Sequence, residues 1–408
     1  MRNAAIMGYG VVGSGVFELL RDSDVLVKKL GRHISVKKVL DLRSFPGDIV
    51  EPFLTHEPDE ILNDDSITIV VETMGGLNPA YEYTKQALSS GKHVITSNKE
   101  LVSVHGSELL SIANENNSRY LFEASVGGGI PIIRALKHTL LSEEVSQITG
   151  ILNGTTNYIL TQMYSLGLSF ADTLRQAQEL GFAEREPSSD IEGFDASRKL
   201  AILLSLCVNK QVNYSRIPTE GISQLTYADF ICASKYGSVI KLIGRGDIKD
   251  GVIEAIVAPF LVQSGASILA EVGDVYNAIT ITSSMSDDNT FYGKGAGKLP
   301  TAGAIVGDIA DILTGNLETV EWGADEAEMA EPTDAIYSWM VRATATKEKI
   351  HAAARGLLDD SYFFEPGIEN QTSFVTLPLK HGDFLSLLTN LRSEGVTIEN
   401  TLRIFADR

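Results

Sequence analysis

Residues 4–13 read AAIMGYGVVG, a short apolar strand that runs into three spaced glycines, and a helical pattern continues from there to Leu20. Gly8 permits a tight turn, Gly10 allows a pyrophosphate to approach the backbone, and Gly13 allows the helix to pack on the strand. A glycine-rich turn that closes a parallel sheet without a ligand is the alternative. The position between strand and helix favours dinucleotide binding, and we expect contacts from Gly8, Tyr9, Gly10, Val11, Val12 and Gly13.

Strands and helices alternate after this motif, which indicates a doubly wound parallel sheet of the Rossmann type. Apolar strands are predicted at 34–42, 66–73, 92–96 and 119–124, with an amphipathic helix at 79–90. Ligands of such sheets bind beyond the carboxyl ends of the strands. The polar residues expected at those ends are Thr73, Ser97, Lys99 and Glu123.

The end of the second strand carries two residues with opposite implications for the coenzyme. Asp41 can accept hydrogen bonds from an adenosine ribose, which favours NAD. Arg43 can pair with a 2′-phosphate, which favours NADP, and Asp41 lies further from the glycines than is usual. The coenzyme is therefore expected to be NAD(P), with the preference open.

The loop 126–130, VGGGI, contains three glycines and follows Glu123 closely. Its carbonyl groups and the Glu123 carboxylate could ligate a hard cation such as Na⁺. The loop could equally let the chain cross a ligand cleft, and spacing does not choose between these roles.

A second, α+β domain with a mixed sheet is predicted from Glu144 onward. Its elements are a strand at 145–152, a polar turn at 153–157, a helix from Tyr158, and long strands at 252–263 and 278–283. The glycine loop 292–297 then precedes an apolar helix to Leu313. A glycine loop at a helix N-terminus suggests a return to the cofactor, with Gly297 in contact with it.

The segment 181–204, GFAEREPSSDIEGFDASRKLAILL, concentrates titratable groups ahead of an apolar helix. Pro187 and Asp190 are expected to break and cap that helix, with Glu192 in its first turn. Asp195 and Lys199 are four residues apart and share one helix face. A lysine at the edge of a core is a candidate proton donor. The alternative, an ordinary surface ion pair, is disfavoured by the accompanying acidic groups.

Composition limits the class of protein. The chain has 408 residues, 44% hydrophobic and 21% charged, which suits two or three soluble domains. Its 53 acidic against 34 basic residues give a net charge of −19, which argues against nucleic acid or an anionic membrane as partners. The start of the chain lacks a signal-peptide pattern. Cys207 and Cys232 lie in apolar segments, so we expect reduced core cysteines and a cytoplasmic protein.

The C-terminal part is predicted as a separate ferredoxin-like domain. Residues 321–334 are acidic and poor in large apolar groups, as in a linker. Beyond them the pattern is β-α-β-β-α-β. A ligand sensor, an oligomerisation module and a fold-stabilising appendage are all open roles.

The assembled motifs resemble the homoserine dehydrogenase family over residues 3–320. The similar blocks are GYGVVG, TSNKE, EASVGGGIP, GILNGTTNYI, GFAEREPSSDIEGFDASRKLAIL and GKGAGKLPTAGAIVGD. The tail is similar to an ACT domain, although it has no acidic-x-x-Pro-Gly turn after its first strand. Many relatives carry arginine where this chain has Leu40. The resemblance implies a dinucleotide-binding domain at 1–130 with 298–320, a substrate and dimerisation domain at 131–297, and an ACT-like domain at 335–408.

The resemblance also implies an activity, namely reversible hydride transfer between L-homoserine and L-aspartate 4-semialdehyde with NAD(P). It makes Lys199, Asp195 and Lys99 catalytic, with Lys199 as the proton donor. Substrate would contact Glu184, Gly181, Asp190 and Thr155. A monovalent cation, Na⁺, would be held by Glu123, Val126, Gly128 and Ile130. A homodimer or homotetramer is expected. The rival readings are a catalytically inactive regulatory protein and a dehydrogenase of another amino-acid aldehyde.

Overall fold

The computed structural model describes residues 2–22, 28–29, 31, 34–140, 142–315, 322–354 and 356–406. They form two compact units. The first unit comprises Met1–Val145, Arg198–Tyr214 and Ile281–Ala327, and the second comprises Ser146–Ser197, Ser215–Thr280 and Glu328–Arg408. The three domain boundaries drawn from the sequence stay a prediction. Residues 316–321, which end the predicted 298–320 return and begin the predicted linker, lie outside the described residues.

The strands and helices are numbered along the chain. The strands are β1 Arg2–Met7, β2 Ile34–Leu40, β3 Leu54–Thr55, β4 Ile67–Glu72, β5 His93–Thr96, β6 Tyr120–Leu121, β7 Val145–Ile151, β8 Lys210–Gln211, β9 Ser238–Lys249, β10 Val252–Gln263, β11 Tyr276–Ser283, β12 Asp287–Lys294, β13 Gly323–Glu326, β14 Glu328–Met329, β15 Ile336–Tyr337, β16 Trp339–Thr344, β17 Leu358–Phe364, β18 Gln371–Thr376, β19 Leu379–Lys380 and β20 Thr397–Ile404. The helices are α1 Val11–Asp22, α2 Asp59–Leu62, α3 Ala80–Ser89, α4 Lys99–Glu115, α5 Ile132–Arg134, α6 Gly154–Leu166, α7 Phe170–Glu179, α8 Ser188–Ile191, α9 Phe194–Val208, α10 Tyr227–Lys235, α11 Lys298–Thr314, α12 Lys347–Ala354 and α13 His381–Ser393.

The first unit is built on a parallel sheet with the strand order β3-β2-β1-β4-β5-β6. This is the order of a dinucleotide-binding doubly wound sheet, which confirms the predicted fold class. The inner strands are apolar along their lengths because helices cover both faces of such a sheet. Helices α1 and α11 share one core with β1, as Phe17, Ile305 and Ile309 pack with Ile6.

Two strands of this sheet end earlier than the sequence pattern predicts. β2 stops at Leu40, so Asp41 lies just beyond it. β6 is only Tyr120–Leu121, and Glu123 begins a 3₁₀ turn after it. Both side chains consequently stand at the carboxyl edge, where ligands of these sheets bind.

The second unit contains a mixed sheet in the order β11-β7-β9-β10-β20-β16-β18-β17, with β14 also pairing β10. β9 and β10 are antiparallel over their whole lengths, whereas β20 runs parallel to β10. The mixed sheet was predicted, but β9 was not. Its sequence SVIKLIGRGDIK has two glycines and four charged residues, which weaken the strand pattern.

Two predicted boundaries in the second unit are wrong. Helix α6 begins at Gly154 rather than Tyr158, because the Asn153 side chain accepts a hydrogen bond from the backbone N–H of Thr156 and caps it. The segment expected to open the charged helix instead forms the separate turn α8. Gly193, with φ of +83°, ends that turn, so α9 starts at Phe194 and Glu192 lies outside it.

The tail has the predicted β-α-β-β-α-β order, formed by β16, α12, β17, β18, α13 and β20. Its strands lie in the order β20-β16-β18-β17, as in a ferredoxin-like domain. The predicted linker is not irregular, because it contains β13 and β14. Within the described part of the chain, no helix combines the length and apolarity required to cross a membrane.

A buried ion pair joins this tail to helix α10 within the second unit. The Arg342 guanidinium donates to Asp229 Oδ1 at 3.0 Å and to Thr226 Oγ1 at 3.2 Å. The Asp229 carboxylate also accepts the backbone N–H of Thr226, which completes a capping box at the start of α10. The side chains of Arg342 and Asp229 are 7% and 2% exposed, so neither charge has an alternative partner in bulk water.

Removing one member of this pair should destabilise the second unit strongly. Asp229→Ala leaves the Arg342 guanidinium buried without its carboxylate, and we expect a loss of about 3–5 kcal/mol in the free energy of unfolding. Denaturant unfolding measures this change. Asp172→Ala, which breaks the exposed pair with Arg175, is the matched control and should have little effect. Equal losses of unfolding free energy in both variants would contradict the special contribution of the buried Arg342–Asp229 pair.

Candidate active site

The glycine turn of the first unit is shaped by close backbone contacts. A Cβ on Gly8, whose φ is +99°, would lie 2.8 Å from the Thr73 carbonyl oxygen, and a Cβ on Gly13 would lie 1.9 Å from that of Gly8. Beside Gly10, by contrast, there is nothing within 4 Å. Helix α1 starts at the next residue, Val11, and Gly10, Val11 and Ser14 line the adjoining cavity, so the first turn of the helix borders open space. This is the arrangement that a pyrophosphate requires.

The ends of β4 and β5 meet beside this turn. The Thr73 hydroxyl donates to the Gly8 carbonyl at 2.9 Å, which ties the two loops together. Beneath them Glu72 is buried, and it accepts the Thr96 hydroxyl at 2.6 Å and the Met74 N–H at 2.7 Å. Burial raises the pKa of Glu72, although these donors favour its charged form.

Asp41 is held by four hydrogen bonds. Its Oδ2 accepts the Tyr9 N–H at 2.7 Å and Arg43 Nη2 at 2.9 Å, while its Oδ1 accepts the Arg43 N–H at 2.9 Å and Nε at 3.0 Å. The hydrogen bonds from the Arg43 side chain lower the pKa of Asp41 to about 2. Arg43 itself is 62% exposed at its side chain. It lines a cavity of about 650 Å³ together with Tyr9, Gly10 and Lys298.

Glu123 is buried under the triple-glycine loop. Each of its carboxylate oxygens accepts one backbone N–H, from Ile133 at 3.0 Å and from Arg134 at 2.7 Å. Each oxygen therefore keeps a further acceptor position. A cavity of about 430 Å³ is lined by Glu123 and Gly128, among others.

The loop itself lies against the segment that precedes α11. A Cβ on Gly128 would lie 2.5 Å from the Gly295 carbonyl oxygen, and the Gly129 N–H donates to the Lys294 carbonyl at 3.0 Å. The Ile130 carbonyl accepts the Ile132 N–H at 2.9 Å. A carboxylate and peptide carbonyls suit a hard monovalent cation, so the predicted ligands fit that chemistry. No cluster of three His, Cys, Asp or Glu side chains suited to a metal occurs among the described residues.

A buried charge cluster beside Glu123 was not predicted. Arg134 pairs with Asp308 at 2.6 Å and with Asp311 at 2.9 Å. Burial raises the pKa of Asp308 to about 7 and lowers that of Lys137 to about 8. The sequence signal that could have revealed this cluster was a pair of aspartates one turn apart within the otherwise apolar α11. Their partner lies more than 170 residues earlier, which no local pattern reveals.

Helix α9 carries the predicted catalytic pair. Asp195 and Lys199 are only 2% and 7% exposed, so the alternative of a surface ion pair is excluded. Arg198 contacts the Glu100 carboxylate at 3.4 Å within the first unit. This contact joins α9 to the first turn of α4, where Lys99 begins the helix at the carboxyl end of β5.

In the second unit, Asn153 connects two of the predicted site carboxylates. Its Nδ2 donates to Asp190 Oδ1 at 2.8 Å and to Asp195 Oδ2 at 2.8 Å. Asp190 follows the breaker Pro187, and Asp195 lies in the first turn of α9. Sequence reasoning placed Asn153 in a polar turn suited to a polar substrate but named no partner for its side chain.

The other predicted substrate residues lie around the start of α6. The Thr155 hydroxyl donates to the Phe182 carbonyl at 2.6 Å, beside Gly181. The Phe182 ring packs on Tyr158 at 5.0 Å between centroids. The Glu184 carbonyl accepts the Gln178 side chain at 3.1 Å, while the Glu184 carboxylate is exposed. Thr155 thus contacts the turn 181–184, which carries Gly181 and Glu184.

The chain matches known proteins over both units. Residues 8–123 match the family described as homoserine dehydrogenase, NAD binding domain, and residues 131–310 match the family described as homoserine dehydrogenase. The homoserine dehydrogenase of Bacillus subtilis is 36% identical over 404 residues, which cover 96% of this chain and 92% of that protein.

Solved structures agree with the sequence comparison. A homoserine dehydrogenase from Thiobacillus denitrificans superposes with a TM-score of 0.91 at 31% identity, covering 99% of this chain and 98% of that one. A hyperthermophilic archaeal homoserine dehydrogenase in complex with NADPH has a TM-score of 0.66 at 26% identity, covering 78% of this chain and 99% of that one. With matching family domains across the Rossmann-type sheet and the charged helix α9, the chain belongs to the homoserine dehydrogenase family.

Proposed function

We propose that this protein catalyses reversible, NAD(P)-dependent hydride transfer between L-homoserine and L-aspartate 4-semialdehyde. The observation that carries the proposal is the burial of Asp195 and Lys199 one turn apart on α9. Arg198 fixes the same helix beside the start of α4, which carries Lys99. A buried ammonium group that can transfer a proton is what reduction of an aldehyde requires.

Reduction of the aldehyde creates an oxygen that must be protonated. When bound, the nicotinamide supplies the hydride that adds to the aldehyde carbon. Lys199 Nζ gives its proton to the carbonyl oxygen as negative charge develops there, and the product is the homoserine hydroxyl. In the oxidative direction neutral Lys199 removes the same proton. Asp195 orients the hydroxyl or a water beside Lys199, and Lys99 acts at the junction of nicotinamide and substrate.

The charged ends of the substrate need complementary groups. Glu184 and Asp190 suit the substrate ammonium, while Gly181 and Thr155 would line the pocket. The substrate carboxylate needs hydrogen-bond donors, which the free backbone N–H groups at the start of α6 can supply. This division gives each end of an amino-acid substrate its own partner.

The activity is tested by following NADPH and NADH oxidation with the purified protein and aspartate semialdehyde. Other small aldehydes serve as controls for specificity. Turnover of the semialdehyde above the other aldehydes is the expected result. Absence of turnover with either coenzyme would end the proposal and favour a regulatory, non-catalytic protein.

The proton donor is tested by Lys199→Ala. We expect kcat to fall by about 10²–10⁴-fold, the range for loss of general acid–base catalysis, while the dissociation constant of the coenzyme stays nearly unchanged. Steady-state kinetics and coenzyme fluorescence titration measure the two quantities. Lys210→Ala, which removes an exposed lysine from β8, is the matched control. A near-normal kcat in Lys199→Ala would reduce Lys199 to a structural role.

We further propose that the protein prefers NADP. Four donors already occupy the Asp41 carboxylate, so it has little capacity left for ribose hydroxyls. The exposed guanidinium of Arg43 and the ammonium of Lys298 both line the cavity beside the glycine turn. Cations at this place suit a 2′-phosphate. The archaeal relative in complex with NADPH supports the same preference.

Arg43→Ala tests the coenzyme proposal. We expect KM for NADPH to rise about tenfold or more, since a charge-assisted hydrogen bond is worth about 1.5–3 kcal/mol, and KM for NADH to change little. Lys38→Ala, which removes a cation within β2, is the control. If KM rises equally for NADPH and NADH in Arg43→Ala, Arg43 supports the loop and does not bind the 2′-phosphate.

We also propose that Glu123 and the carbonyls of Val126, Gly128 and Ile130 hold a monovalent cation such as Na⁺. The buried carboxylate with one acceptor position left on each oxygen supports this role. The ion would fix the loop against the segment before α11.

A homo-oligomer, a cytoplasmic location and a regulatory role for the ACT-like tail stay predictions. Analytical sedimentation would establish the oligomeric state.

Glu123→Gln tests the cation site. The amide keeps the size of the side chain but removes its charge, so we expect stimulation of activity by Na⁺ to disappear. Thermal unfolding with and without NaCl, at constant ionic strength set by a tetraalkylammonium salt, gives a readout independent of activity. If the wild type itself shows no difference between the two salts, the cation proposal is wrong.

A further inference from the structure

The Asn153 side-chain amide is hydrogen-bonded at both its oxygen and its nitrogen inside the second unit. Its Oδ1 accepts the Thr156 N–H at 2.8 Å and the Thr156 hydroxyl at 3.1 Å. Its two Nδ2 hydrogens go to Asp190 and to Asp195, each at 2.8 Å. The first pair of bonds caps α6 and fixes the orientation of the amide, because only the oxygen can accept the Thr156 N–H.

The second pair of bonds brings two carboxylates to one nitrogen. The Asp190 and Asp195 oxygens each lie 2.8 Å from Nδ2, so they are within twice that distance of each other. Like charges at such a separation oppose each other's ionisation, and the burial of Asp195 strengthens the effect. Hydrogen bonds donated to a carboxylate favour its charged form and oppose that repulsion.

Helix capping alone does not explain the choice of asparagine here. Aspartate and serine cap helices about as well as asparagine does. Only asparagine among these supplies a cap acceptor and two N–H donors from one short side chain. The donors point away from α6, toward α8 and α9.

We propose that Asn153 is a positioning residue that holds the Asp190 and Asp195 carboxylates ionised and at a fixed separation. The inference rests on the proposed function, in which Asp190 binds the substrate ammonium and Asp195 acts beside Lys199. Asn153 acts through these two side chains and takes no part in proton transfer. Its amide sets where the ammonium is held relative to the carboxylate that supports the proton donor.

Two substitutions separate this role from capping. Asn153→Asp keeps the cap acceptor but replaces the two donors with a third carboxylate, and Asn153→Ser keeps the cap without adding charge. We expect kcat/KM for homoserine to fall about tenfold to a hundredfold in both, which corresponds to the loss of hydrogen bonds to charged groups. The coenzyme KM should stay close to that of the wild type in both variants, and the thermal unfolding midpoint should stay close to it in Asn153→Ser. In Asn153→Asp the midpoint should fall, because three carboxylates then repel one another at a buried site. Ser169→Ala, which removes the cap of α7, is the control for a purely local helix defect.

The pH profile distinguishes the two variants from each other. The titratable groups bonded to the Asn153 amide are Asp190 from α8 and Asp195 from α9, with Lys199 one turn further along α9. The first turn of α6 carries no acidic residue. In Asn153→Asp the added carboxylate favours proton uptake by the cluster, so the acid limb of kcat/KM should move to higher pH. Asn153→Ser should show a smaller shift.

The outcomes also separate this inference from the proposed function. An active wild type with normal kinetics and an unshifted profile in Asn153→Asp would overturn the positioning role and leave the reaction intact. An inactive wild type would overturn both. A large loss of thermal stability in both variants, without a shift in pH profile in the active fraction, would assign Asn153 to capping alone.

Discussion

Helix α1 can follow β1 so closely because Gly13 has no side chain. A Cβ at that position would lie 1.9 Å from the Gly8 carbonyl oxygen, which no rearrangement of a flexible side chain could relieve. The close contact sets the direction of α1 and leaves the space beside Gly10 open. The Thr73 hydroxyl then ties the end of β4 to the same turn. The geometry of the glycine turn, the sheet edge and the adjoining cavity therefore depends on the absence of a side chain at Gly13, and a single methyl group there would disrupt all three.

This strongly acidic chain holds its buried carboxylates in two different ways. Around Glu123, buried carboxylates are balanced by Arg134 and Lys137, so the charges are compensated within one cluster. Around Asn153, two carboxylates each accept a hydrogen bond from the same neutral amide. The two clusters therefore hold their carboxylates by different means, ion pairing in the first and shared hydrogen bonds from one amide in the second.

The sequence was sufficient for features that depend on local spacing. The G-x-G-x-x-G turn, the alternating strands and the placement of Thr73, Ser97, Lys99 and Glu123 at strand ends all follow from short-range patterns. The four-residue spacing of Asp195 and Lys199 correctly placed them on one face of a helix. The β-α-β-β-α-β order of the tail was also readable from periodicity alone.

What the sequence could not supply depends on contacts between distant segments or on competing local signals. The start of α6 was misplaced because Asn-Gly-Thr-Thr-Asn is also a good turn sequence, and the cap that settles the matter is a side-chain hydrogen bond. β9 was missed because its glycines and charges mask a strand that long-range pairing with β10 stabilises. The Arg134–Asp308 and Asn153–Asp195 contacts join residues far apart in the chain, for which one sequence contains no signal.

The parallel pairing of β20 with β10 limits how far the C-terminal region of the chain could be shortened. Phe260 and Leu261 of β10 pair with Arg403 and Ile404, and the Phe405 N–H donates to the Leu261 carbonyl at 2.8 Å. Loss of the C-terminal region would uncover a row of apolar side chains and unsatisfied peptide groups, a surface prone to self-association. A shorter variant of this protein would need another segment to pair with β10 in place of β20.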